Sequence, residues 1–364
     1  MHKQRRLMTA TFQCLRLLIS LLFLSSFAFS QTPAANSREA NKRQKRIDVR
    51  INHLIDLDYM VRKYAASKSE ALNKVGGFEE LVNVARQLQT DFGGSFGSGM
   101  AVINSALITC KTASEAVEKF SQLSESITTR RGTQIKLREW AVKYAKALNA
   151  FEPAFLKNIW PEHKLILERA EAYVAKNFEL KEQECFDYLI KRLGMEDSLY
   201  QVPIYIVAES PWPGGFTFWD GTQKGVCVIS IEVNQGSALF ESILHEAIHA
   251  LHAETKGEGN VLAEIEKRLL KDGMSESDLA VRHGPHLLVF IQSAETVKRL
   301  INPSHKPYGE GEKGVYARLQ ALSDIELPVW IAYLDGKITR EDAVNRIAEG
   351  LVKASKETKL PKSR

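Results

Sequence analysis

The chain has 364 residues, 44% of them hydrophobic and 26% charged. That is enough for one large domain or two ordinary ones, and it excludes wholesale disorder, collagen and a polytopic membrane protein. The formal charge of +5 owes much to the first 30 residues, which hold Lys3, Arg5, Arg6 and Arg16 and no acid; taking those four from the 49 basic residues leaves 45 against 44 acidic ones, or +1. A nucleic-acid partner gets no support from that balance.

Residues 1–30 read as a secretory signal peptide. A basic stretch, His2 to Arg6, precedes an apolar run from Leu15 to Phe29, and Ala28 and Ser30 supply small residues before a cleavage point at Gln31. The uninterrupted part, Leu17 to Phe29, is shorter than the ~20 residues of a membrane span. Cys14 precedes the apolar run, the wrong position for a lipoprotein cysteine. The mature chain is therefore expected to be exported, to the periplasm or beyond, with no stable membrane span. It keeps Cys110, Cys185 and Cys227, too few for a disulfide framework and expected to be buried small hydrophobes.

Residues 31–46 are polar and basic and read as a flexible linker. From about 47 to 200 the apolar period is helical, as in Ile51, Leu54, Ile55, Leu57, Met60 and Val61, and again in Trp140, Ala141, Tyr144, Ala145 and Leu148. The glycines of 91–99 predict a loop, and Pro153 and Pro161 predict helix boundaries. Near 200 the texture changes. Gln201–Val207 predicts a strand whose Pro203 belongs near an end or an edge. Residues 211–225 predict an aromatic, turn-rich loop, and Val226–Ile231 a second strand. Helices are expected over about 236–254, 259–271, 285–300, 313–323, 325–335 and 340–355, with 356–364 a frayed tail. The fold class is thus α+β and mostly helical: a helical region over 47–200, then a metal-binding domain over 201–355 with a small sheet.

The segment that carries chemistry is Ser242–Glu254, with His245, Glu246 and His249 in the pattern H-E-x-x-H. Four residues make slightly more than one helical turn, so both imidazoles lie on one face and can bind one Zn²⁺, with Glu246 beside them as general base. Leu239, Phe240, Ile243, Leu244, Ile248 and Leu251 supply the apolar anchoring of that helix. His252 lies one turn further on and is expected outside the metal's own ligands. A third ligand must come from downstream. Glu264 and Glu266 read as an exposed charged face, and His283 as a loop residue. The segment 284–299 offers His286 at a helix start and Glu295 nine residues on, half a turn round, so one straight helix cannot turn both to one metal. His286 shares its stripe with Phe290, Ser293, Ala294 and Val297, whose small members permit close approach to the metal helix. Glu295 has Lys298 and Arg299 as nearby partners. His286 is the expected ligand and Glu295 the alternative.

HEAIHALHAE resembles the active-site helix of zincin metallopeptidases. Further segments resemble a group of exported bacterial HExxH proteins: residues 158–170, the strand-then-helix run into the motif, 285–300, 306–319 and 330–344. His286, Phe290 and Glu295 match that group's pattern, while Pro285, Ile291, Gln292 and Ala294 depart from it. The resemblance covers roughly the second half of the chain. It implies a zincin-like domain in which the strand upstream of the motif offers an edge to an extended peptide. In the thermolysin-like branch the third ligand is a downstream Glu, which keeps Glu295 in play. Zincins also place a Tyr or His opposite the metal to hold an oxyanion, and Tyr308 is the candidate here. Trp212, Phe216 and Trp219 are candidates to line a groove. The function expected is a secreted zinc metallohydrolase, foremost a peptidase acting on peptide or protein substrates. The alternatives are a non-catalytic zincin-like scaffold for a cell-envelope partner and a zinc amidase with a non-peptide substrate.

Overall fold

The short alternating strand Ile47–Arg50 (β1) and two apolar runs, Val202–Val207 (β4) and Gly225–Ser230 (β6), lie side by side in parallel, and Gly215–Trp219 (β5) closes the sheet antiparallel to β6, in the order β1-β4-β6-β5. A separate two-stranded ladder pairs Ile127–Thr128 (β2) with Gln134–Ile135 (β3). The structure, a computed structural model, describes residues 45–67, 75–92, 98–128, 134–196, 200–219, 224–254, 259–312 and 314–357. The expected signal peptide, nearly all of the expected linker, the centre of the glycine loop at 91–99 and most of the C-terminal tail lie outside the described residues.

Side chains alternate across the strands, and both faces of this sheet are covered. Ile204, Ile206, Cys227 and Ile229 join one core, and Tyr205, Val207, Val226 and Val228 the other. That explains why β4 and β6 are almost uninterrupted apolar runs. The second core is roofed by His53–Ala66 (α1), Phe78–Asp91 (α2), Ser98–Leu107 (α3), Ala113–Ser121 (α4) and Leu137–Asn158 (α5). The first is roofed by Trp160–Asn177 (α6), Glu179–Leu193 (α7), Ser237–Glu254 (α8), Val261–Lys271 (α9), Leu279–Leu300 (α10), Gln320–Leu334 (α12) and Arg340–Lys356 (α13), with the short turn Val315–Arg318 (α11) at its rim. The α+β, mostly helical fold class is what the structure has: thirteen helices and a small mixed sheet among the described residues. No helix among them is long and apolar enough to cross a membrane. Cys110, Cys185 and Cys227 are buried free thiols.

Several local expectations change. Residues 47–50 form a strand, not the onset of a helix, so the first segment shares its sheet with the second, and Gln44–Arg364 clusters as one compact unit. Arg46, expected to end the linker, is buried: its N–H and that of Ile47 donate to Glu182 Oε1, and its guanidinium lies 5.4 Å from the Phe186 ring centroid. The 211–225 loop contains β5. Pro203 lies in an inner strand, but near its start: the pairing with β6 begins one residue later, at Ile204. Pro161 does sit at a helix start, whereas Pro153 and Pro285 lie inside α5 and α10. A proline removes one helical hydrogen bond. In α10 the apolar face of a 22-residue helix outweighs that loss, so His283 and His286 are helical and not at a loop and a helix start.

One buried pair joins the layers. Asp56, in the first turn of α1, accepts from the Ala208 N–H just past β4 at 2.6 Å and lies 2.6 Å from His163 Nδ1 of α6. Burial by itself would lower the His163 pKa, but the Asp56 carboxylate more than offsets this and holds it above 6.5. Protonated His163 therefore stabilises the native state fully below ~6.5 and stops doing so as pH rises through the raised native value. His163→Gln should cost about 1–3 kcal/mol at pH 6 and less at pH 9. Urea midpoints of both proteins at the two pH values measure this; a gap that widens at pH 9 would contradict the assignment.

Candidate metal centre

Helix α8 places His245 and His249 one turn apart, and α10 crosses it to bring in His286. His245 Nε2 lies 3.1 Å from His249 Nε2 and 3.2 Å from His286 Nε2, and the three donor atoms all fall within 4.8 Å of one another. Phe290, one turn beyond His286, lies against both rings, 4.1 Å from the His245 centroid and 5.1 Å from that of His286. His245 is buried, His249 partly so, and His286 lies at the exposed side of the group.

Burial and mutual repulsion decide the charge state. Burial pushes His245 well below 6.5 and His249 to about 3, and neighbouring histidines push in the same direction; His286 is lowered too, by the partial shielding of its ring and by His283, with its exposure to solvent moderating the shift. All three are neutral at pH 7. A neutral ring nitrogen carries either a proton or a lone pair, so His245 Nε2 can satisfy only one of the two nitrogens facing it. A cation bound among them removes that conflict, and the donor set is one that transition metals favour. His245, His249 and His286 can hold a metal ion.

The Glu246 carboxyl lies against the sheet. Its carboxyl Oε2 accepts from Thr217 Oγ1 of β5 at 2.6 Å. Gly215, two residues earlier on β5, leaves room for Oε1: a Cβ there would lie 2.6 Å from it. Burial raises the Glu246 pKa to about 7, against the opposing Thr217 hydrogen bond. Tyr59 of α1 reaches the same region from the far side of the sheet. Its ring centroid is 5.3 Å from that of Phe216, and burial, assisted by Glu246, raises its phenol. Thr217, Gly215 and Tyr59 are absent from the sequence reading. The alternation of residues 215–219 was the available signal for the first two; Tyr59 has none.

The other sequence candidates lie elsewhere. Glu295 is on the far side of α10 and accepts from Arg299 Nε at 2.9 Å, with Lys298 Nζ at 3.8 Å. Tyr308 donates its hydroxyl to the Pro213 carbonyl at 3.0 Å and its N–H to Glu241 Oε2 at 2.9 Å, so it braces the turn before β5. His252 Nδ1 lies 2.9 Å from the amide nitrogen of Asn260, the residue that caps α9. Glu264 is half-buried and Glu266 exposed on α9, and His283 lies one turn before His286. Trp212 is exposed under the Arg318 guanidinium, 4.4 Å from its ring centroid, and Trp219 is half-exposed at the end of β5. Comparison with protein-family models, curated proteins and solved structures finds no match.

Two measurements test this centre. His286→Ala should abolish stoichiometric metal binding and Glu295→Ala should leave it intact, read as metal per chain after dialysis in one buffer; the reverse result would transfer the third ligand to Glu295. Depressed histidine pKa values also set the acid limit. Metal occupancy should hold from pH 7 to about 5 and fall as protons compete near pH 4. The metal-free protein should behave differently. Its histidines charge at ~6.5 only when unfolded, so its stability should decline as pH falls from ~6.5 toward 4. Metal lost already at pH 6 would show that His245 and His249 are not shielded from protonation as described.

Proposed function

We propose that this protein is a zinc-dependent hydrolase of the zincin type and, within that class, a peptidase. The observation that carries the reading is the pairing of three converging neutral imidazoles with an adjacent buried carboxyl group whose pKa lies at about 7. Three histidine ligands leave one position of a tetrahedral zinc open, the arrangement of a reactive site more than of a structural one. A zinc ion bound there would supply Lewis acidity, polarising a carbonyl and acidifying a water. Glu246 is suited to take and return the proton. A pKa near the working pH lets it accept a proton from an attacking water and donate it to a leaving amine. Thr217 keeps Oε2 occupied and so orients the carboxylate with Oε1 as the exchanging oxygen. Phe290 and the buried walls limit water at the site, which strengthens each electrostatic contact inside it. The peptide preference rests on the antiparallel edge strand directly over Glu246, which presents backbone amides to an extended chain.

Glu246→Gln separates this reading from a non-catalytic scaffold. Zinc content should be unchanged, while hydrolysis of unfolded protein substrates should fall about 10²–10⁴-fold. Thr217→Ser, which keeps the hydroxyl, should retain most of the rate, and Thr217→Val should not. Undiminished turnover in the Gln variant removes Glu246 from the chemistry, and loss of zinc makes it a ligand.

A further inference from the structure

A second cluster of reactive side chains lies at the start of α8, apart from the metal ligands. Ser237 opens the helix, and its Oγ lies 2.9 Å from His305 Nδ1. His305 Nε2 lies 2.6 Å from Oε2 of Glu241, one turn along α8. Two groups that can only donate fix the direction of these bonds. The Tyr308 N–H donates to Glu241 Oε2 at 2.9 Å, so that oxygen is an acceptor and His305 Nε2 carries a proton toward it. At the other end the Ser304 N–H donates to Asn302 Oδ1 at 3.1 Å, so the amide turns Nδ2 to Ser237 and donates to Oγ at 3.3 Å. In neutral His305 the Nδ1 lone pair is then left for the Ser237 hydroxyl proton. The result is a serine–imidazole–carboxylate relay, with the two ring nitrogens used in the opposite sense to the serine-protease triad. His305 and Glu241 are buried and Ser237 is half-buried. Gln235 and Gly236 before it are exposed, with open space where a Gly236 side chain would stand. The base is thus shielded from water, and the serine stands at the open end. None of the three residues is a metal ligand, and the zinc chemistry proposed above does not use them.

We propose that Ser237 is the nucleophile of a second, metal-independent site, with His305 as its general base, and that this site hydrolyses small carboxylic esters. Ser237 Oγ bonds to the ester carbonyl carbon as its proton passes to His305 Nδ1, and the carbonyl π pair moves onto oxygen. Two donors stand beside Oγ for that charge: Asn302 Nδ2 and the Ser237 N–H, which has no acceptor among the described residues. When the pair returns, the bond to the alcohol oxygen breaks. Its electrons stay on that oxygen, which takes the proton from His305. Acyl-Ser237 and a free alcohol result. Water then repeats the sequence: its oxygen bonds to the acyl carbon, one of its protons passes through His305 to Oγ as the Oγ–C bond breaks, and the carboxylic acid leaves. An ester fits better than an amide, because an amine must be protonated to leave and an alcohol oxygen needs less help. The substrate is small because α8 and the 301–314 segment flank Oγ and leave the Gly236 side open.

The test uses a biotinylated alkyl fluorophosphonate, which captures activated serines. Oγ bonds to phosphorus, fluoride leaves with the P–F pair, and His305 takes the hydroxyl proton. The purified protein is treated in EDTA and the label is located by peptide mass spectrometry. Ser237 should be labelled about 10²-fold faster than the exposed Ser304, and His305→Gln should slow its labelling by a similar factor. With p-nitrophenyl acetate, again in EDTA, the wild-type protein should release a burst of p-nitrophenolate equal to the protein present, and Ser237→Ala should release none. If His305→Gln does not fold, the label position in the wild-type protein and the burst in Ser237→Ala decide the matter. Ser304 labelled as fast as Ser237, no labelled serine, a wild-type rate in folded His305→Gln, or a burst retained by Ser237→Ala overturns the proposal. Zinc content and hydrolysis of unfolded proteins should be unchanged in Ser237→Ala, so the failure of either site is read independently of the other.

Discussion

Helix α8 lies so close under the β5–β6 ladder that two strand positions carry no side chain. A Cβ on Gly215 would come within 2.6 Å of Glu246 Oε1, and one on Gly225 within 2.5 Å of the Ala250 backbone and methyl. This approach lets Thr217 reach Glu246 with a short side chain, its hydroxyl oxygen lying 2.6 Å from the carboxyl Oε2 and 3.0 Å from the Glu246 backbone carbonyl. It also fixes the height of α8, and with it the height at which His245 and His249 face α10. The remaining geometry of the centre follows from that contact.

Electrostatics then follow from burial. Three imidazoles within a few ångströms of one another would repel strongly if protonated, and burial removes the water that would screen them. The same burial acts in the opposite sense on Glu246 and favours its neutral form. One desolvated site therefore holds three bases with free lone pairs and one carboxyl group that can change protonation near neutrality. Neighbouring titratable groups with different roles are what acid–base chemistry requires.

Both halves of the chain build this site. The helical first half lies against the opposite face of the sheet, yet Tyr59 packs on Phe216 behind Glu246, and Ser105 holds the far end of β5. At the near end, Glu241 of α8 binds His305 Nε2 at 2.6 Å and the Tyr308 N–H, while Ser237 lies 2.9 Å from His305 Nδ1. This buried network ties the segment after α10 to the start of α8, and Tyr308 passes the restraint to Pro213. The edge strand is thus fixed at both ends by elements remote in sequence.

The sequence alone determined what depends on local period and chemical type. H-E-x-x-H put two imidazoles on one helical face. The stripe through His286, Phe290, Ser293, Ala294 and Val297 separated His286 from Glu295 by half a turn, and the helices of the second half were legible within a few residues except where a proline sat inside one. What it could not determine was anything set by contact across the chain. β1 is four residues long and owes its strand conformation to β4, more than 150 residues away. β5 was hidden among aromatic and glycine residues that also suit a loop, so Thr217 went unseen. The hydrogen bond of Tyr308 to the Pro213 carbonyl joins residues 95 apart in sequence and has no local signal. Periodicity records which face of an element is buried, whereas the partner of a hydroxyl or a strand edge is chosen by tertiary packing, and only the folded chain brings α8, β5 and α10 to one point.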